Sequence, residues 1–292
     1  TRFALSPLAA KRLFFVLGAV VTLGGVAVVL LRYPEPTTIS DRRFRRLSRR
    51  FRPAGGTTTR ATWAVPFGLG RILWGLRDLG FGRANGSGST ARAVLSRLQS
   101  RFSGGLLRYL LGATFFFAGF SAFFGPLPAY LVDSGYATDE VFALFILSAA
   151  ASAAAYASAG AAAARYEPFR LQAGALLFRA GSFPIVAVVG AAVAPPAGLI
   201  AVGMLFLAIG GSWAVIAVTA TGLVSGLASD SVRAEALGVY TAVGSLGGGM
   251  GSVFGGAIAD WMGYLPAFVV AGGLVVGGFL VAAGAKRATA PV

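Results

Sequence analysis

Residues 109–132, YLLGATFFFAGFSAFFGPLPAYLV, contain no Asp, Glu, Lys or Arg. A helix rises about 1.5 Å per residue, so about 20 such residues cross a hydrocarbon core about 30 Å thick. Residues 13–31, 141–164, 236–259 and 261–285 are equally free of charge and of similar length. A further charge-free run, 180–229, is too long for one crossing, and Pro195 and Pro196 mark a turn inside it. Helices over 171–193 and 197–226 follow, the first carrying Arg179, and the chain reads as an all-α transmembrane protein with seven membrane-spanning helices.

Composition excludes the soluble alternatives: 56% of the residues are hydrophobic, 12% are charged, and mean hydropathy is +0.76. The chain has no cysteine, hence no disulfide framework, thiolate nucleophile or thiolate metal site. It has no histidine, so the usual general base and most zinc sites are missing, and no cofactor is implied. An intramembrane hydrolase would need a nucleophile beside a His, Asp or Lys within the bilayer, and the sequence offers no such pair.

The net charge of +15 is concentrated: 16 of the 25 basic residues lie between Arg32 and Arg108, opposed there only by Glu35, Asp41 and Asp78. This divides the chain into a first helix (1–32), a basic loop (33–105), a six-helix body (106–287) and a short tail (288–292). Basic loops stay on the cytoplasmic side, so 33–105 and, by alternation, the C-terminus are expected inside a cell membrane. The later loops agree, with Asp133, Asp139 and Glu140 outside and Arg165, Arg170 and Arg233 inside. Within the basic loop, seven arginines from Arg42 to Arg52 surround Phe44, Leu47 and Phe51 at spacings of three and four. That pattern predicts an amphipathic helix on the lipid bilayer, and with no fold motif or aromatic platform beside it no nucleic-acid partner is expected. Arg2, Lys11 and Arg12 would face outward, and together with Thr1 in first place they point to a fragment whose preceding helices are missing.

A lone helix, a long basic loop and six closely spaced helices resemble the second half of a major facilitator superfamily transporter. Residues 13–31 look like that family's sixth helix and the six from 106 onward like its seventh to twelfth. FGPLPAYL (124–131) resembles the outer end of the seventh helix. GAAAARYEPFR (160–170) stands where the family repeats a Gly-x-x-x-Asp-Arg-x-Gly-x-Arg loop. Gly160, Arg165 and Arg170 fit that motif, while Ala164 replaces its acid and Glu167 its glycine. The resemblance implies that the last six helices form a bundle of two inverted three-helix repeats, that Arg165 and Arg170 have a gating or a structural role, and that the function is alternating-access transport.

The family's seventh, eighth, tenth and eleventh helices line its cavity, which makes Phe117, Phe120, Ser121 and Phe124 candidates to bind a small-molecule substrate. Ser148, Ser152 and Tyr156 recur every fourth residue, so their hydroxyls share one helix face. Trp213, after a Gly210-Gly211-Ser212 stretch expected to break its helix, and Tyr240 and Thr241 complete the set. No Asp, Glu or Lys lies mid-membrane in the six-helix part, so an apolar or drug-like solute is expected over a proton- or cation-coupled site of the usual kind.

Two features have competing readings. Gly244, Gly248, Gly251 and Gly255 make small-xxx-small faces, which serve static packing or a surface that slides during transport. Arg179 either snorkels or bonds a neighbouring carbonyl, or it contacts an anion or takes part in gating, and the resemblance puts its helix at the bundle periphery. The alternatives to a transporter are a seven-helix receptor or a non-transporting structural membrane protein.

Overall fold

The computed structural model describes residues 20, 23, 24, 96 and 98–287, the last three as backbone only. The chain divides into two compact units, Thr1–Ile72 and Leu73–Val292, and the helices below all belong to the second. The expected first crossing, 13–31, lies outside the described residues apart from helical Val20, Leu23 and Gly24. The amphipathic segment 41–52, nearly all of the basic loop and the tail 288–292 also lie outside them.

Seven helices are described: α1 (Gly104–Phe124), α2 (Leu127–Asp133), α3 (Thr138–Arg165), α4 (Pro168–Ala192), α5 (Ala197–Leu227), α6 (Arg233–Met262) and α7 (Tyr264–Arg287). Pro126 interrupts α1 and α2, which together form one apolar segment, so the seven helices make six spans of 21 to 31 residues. There is no strand among the described residues. The protein is a multi-pass, all-α membrane protein.

The helices extend beyond the charge-free windows because a helix does not end where the hydrocarbon does. α3 starts at Thr138 and carries Asp139 and Glu140 in its first turn, and α6 starts at Arg233 with Glu235 in its first turn. Acids there face the positive end of the helix dipole. Two of the starts are fixed by side chains: Ser103 Oγ accepts from the Leu106 amide at 3.2 Å, and the Glu140 carboxylate accepts from the Ala137 amide at 2.9 Å.

α1 packs against α6 and α7, α5 packs against α3 and α4, and α4 meets α7, with lighter contact of α6 to α7 and α5. Without a hydrophobic drive in lipid, close backbone approach must supply the dispersion contacts. Gly247, Gly251 and Gly255 press on the carbonyls of Thr114, Ala118 and Ala122, while Gly244 faces the Phe117 ring and Gly248 faces Ser121 Oγ. These glycines therefore serve the α1–α6 contact. On α4, Pro184 removes the donor that would meet the Ala180 carbonyl, and Gly272 of α7 packs at that oxygen. Phe123 stacks on Phe183 at 4.0 Å and meets Phe268 at 4.7 Å, forming the centre of the core.

Coverage is uneven. In the first span 56% of the apolar window is buried, but only 17% in α3 and 17% in α6. Each of those two helices presents a largely uncovered face.

Candidate functional site

A cleft of about 530 Å³ opens between α3, α4 and α5. Ser148, Ser152 and Tyr156 line its α3 wall, so the shared face read from their spacing is the face turned to the cavity. Phe145, one turn before Ser148, lines the same wall. Gly210 and Trp213 form the α5 side, and Gly210 is where the two helices touch: a side chain there would strike the Ser148 carbonyl. α5 runs unbroken from Ala197 to Leu227, which corrects the expected break at Gly210-Gly211-Ser212. Ser212 is accommodated within the helix with its hydroxyl donating to the Ile209 carbonyl at 2.7 Å, and Gly210 is required for approach, not for bending.

Arg179 forms the floor, and the snorkelling alternative does not hold. α4 begins at Pro168, so Arg179 lies 11 residues, or about 16 Å, into the helix and near its middle. Its side chain is 3% exposed and turns inward, where Nη2 donates to the Ile209 carbonyl at 3.3 Å. The guanidinium carbon lies 4.7 Å from the Phe120 ring centre, 5.5 Å from that of Phe124 and 5.4 Å from Trp213. Nε and Nη1 are buried without a partner among the described residues. A helix expected at the periphery thus reaches the cleft through one long side chain.

Behind this floor stands an aromatic wall from α1. Phe117 meets Trp213 at 6.2 Å and Tyr240 at 5.6 Å, Phe120 meets Trp213 at 6.0 Å, and Phe124 meets Phe145 at 6.2 Å. The structure brings together Phe117, Phe120, Phe124, Ser148, Ser152, Tyr156, Arg179 and Trp213, with Tyr240 at the edge. Ser121 is apart, facing Gly248 in the α1–α6 contact. Thr241 is also apart, exposed on α6 with its hydroxyl bonded to the Leu237 carbonyl at 3.1 Å. Arg165 and Arg170 stand exposed around the α3–α4 loop, where Arg170 pairs with Glu167 at 3.5 Å.

Several polar contacts had no sequence signal that singled them out. Buried Gln172 of α4 donates to the Tyr109 hydroxyl of α1 at 2.7 Å. The Tyr264 hydroxyl donates to Asp133 at 2.6 Å, linking the end of α2 to the start of α7. Tyr130 donates to the Ala187 carbonyl at 2.6 Å, and Gly190 leaves room for its ring. In the α2–α3 loop, burial raises the pKa of the Tyr136 phenol above its ordinary value, with Tyr130 and Glu140 acting in the same direction.

Comparison with protein-family models and with curated proteins finds no match for this chain.

Proposed function

We propose that this chain is a secondary carrier of the major facilitator type, with residues 13–31 as a seventh crossing, moving a small apolar or drug-like solute by alternating access. The observation that carries the reading is the mid-membrane cleft, whose apolar and aromatic walls hold only a few hydroxyls, as small-molecule sites do. The packing pattern supports two inverted three-helix repeats. Exchanging α1 with α5, α3 with α6 and α4 with α7 turns the α1–α6 contact into α5–α3, α1–α7 into α5–α4, and α4–α7 into itself. The exchange also pairs the two least covered helices, α3 and α6. Their open faces suit a second helical body, and preceding helices of the same carrier are the partner we favour. In this reading the protein sits in the cell membrane with 33–105 and the C-terminus in the cytoplasm.

The absence of cysteine makes the test clean. A Ser152→Cys variant of the full chain, reconstituted in vesicles, is treated with membrane-impermeant maleimide from either side. A carrier exposes this position alternately, so labelling is expected from both faces, with a cleft-filling ligand slowing at least one of them. Labelling from one face only, or from neither, overturns alternating access and favours a receptor or structural protein.

A further inference from the structure

The cleft floor holds a positive charge that no acidic side chain among the described residues neutralises. Arg179 is nearly fully buried, gives one N–H to a carbonyl and leaves two nitrogens, Nε and Nη1, with no acceptor among the described residues. Ring faces attract a guanidinium but accept no conventional hydrogen bonds, so the aromatic surround leaves the donors unsatisfied. Every acidic residue among the described ones stands at or near the end of a span, and the ion pairs present use Arg101, Arg170 and Arg233. A buried, unpaired guanidinium in a bilayer is costly, and the compensation it needs is an anion with acceptor oxygens. A carboxylate matches its planar donor fork.

We propose that the cleft binds an aromatic organic anion, its carboxylate against Arg179 and its ring system between Trp213 and the α3 wall. This refines the substrate class of the carrier reading and rests on it for everything that follows binding. The volume of about 530 Å³ suits a one- or two-ring solute. Ser148, Ser152 and Tyr156 supply hydroxyls along one side, and Phe145 and Trp213 supply apolar contact. Trp213 both lines the cleft and covers the guanidinium, so its rotation admits the carboxylate to the unsatisfied donors.

The full chain in nanodiscs of uncharged lipid is titrated by equilibrium dialysis with radiolabelled 2-naphthoate and, separately, its neutral counterpart 2-naphthamide. Naphthoate is expected to bind about tenfold tighter or more, the range for a charge-assisted hydrogen bond. The R179Q variant is expected to erase that preference while keeping weak amide binding, and R179K to retain part of it. Acetate is expected not to displace naphthoate. Equal binding of the two naphthyl probes, a preference that survives R179Q, or displacement by acetate overturns the assignment. Should R179Q fail to fold, the comparison of probes on the unaltered chain decides. One-sided labelling of the Ser152→Cys variant with the naphthoate preference intact removes the transport reading and leaves the anion site. Two-sided labelling with no preference does the reverse.

Discussion

The guanidinium carbon of Arg179 lies 4.7 Å from the ring centre of Phe120, an α4 charge held against an α1 ring in the middle of the membrane. The α1 and α4 backbones do not pack closely, so the two helices meet through long side chains: this pair, the Phe123–Phe183 stack and the Gln172–Tyr109 hydrogen bond. Replacing Phe120 by Leu keeps apolar bulk and removes the ring face. The expected coupling in a Phe120→Leu, Arg179→Met double-mutant cycle is about 1–2 kcal/mol, the range for a desolvated cation–π pair. Unfolding of the four proteins in bicelles measures it, and additive effects would mean that the ring contributes packing alone.

Glycine substitutions along α6 separate contact from composition. A Cβ on Gly251 runs into the Ala118 carbonyl, one on Gly244 comes to 3.1 Å of the Phe117 ring, and one on Gly249 meets nothing within 4 Å. Gly251→Ala is therefore expected to destabilise by about 1–3 kcal/mol, Gly244→Ala by less, and Gly249→Ala not at all. Thermal unfolding ranks the three. Equal effects would show that helix propensity, not the α1 contact, governs these positions.

Tyr109 and Gln172 make a buried side-chain hydrogen bond between α1 and α4 at 2.7 Å. Removing one partner strands the other in an apolar setting, while removing both does not. Tyr109→Phe and Gln172→Leu are each expected to cost about 1–2 kcal/mol, and the double variant less than their sum. The same bicelle unfolding measures this, and strict additivity would mean that the two groups find other partners.

The spans were legible because a charge-free window of about 20 residues has few alternatives to a membrane helix. Their ends were not, since Asp139, Glu140 and Glu235 are helical outside the hydrocarbon and window counting stops at the first charge. Ser148, Ser152 and Tyr156 were legible as one face through their four-residue spacing. Phe145 sits on that same face one turn earlier and was recoverable by extending the stripe. Ser121 and Thr241 were not separable from the cleft set, because period gives the face of a helix but not the neighbour it meets. Arg179 was flagged by depth, yet its inward turn depends on rings from α1 and α5 that are distant in sequence.

Orientation rests on the asymmetry of charge among short loops, and it too can be measured in a chain with no native cysteine. Ser134, after α2, and Ser229, after α5, lie in turns flanking spans and are accessible enough for substitution. Two spans separate an α2–α3 site from an α4–α5 site, and a third returns the chain to the opposite face at the α5–α6 turn. Ser134→Cys is therefore expected to react with impermeant maleimide on intact cells, and Ser229→Cys only after permeabilisation. The reverse pattern would invert the topology and place the Arg42–Arg52 cluster outside. Reaction of both from one side would require an even number of crossings between them, which the three spans α3, α4 and α5 do not allow.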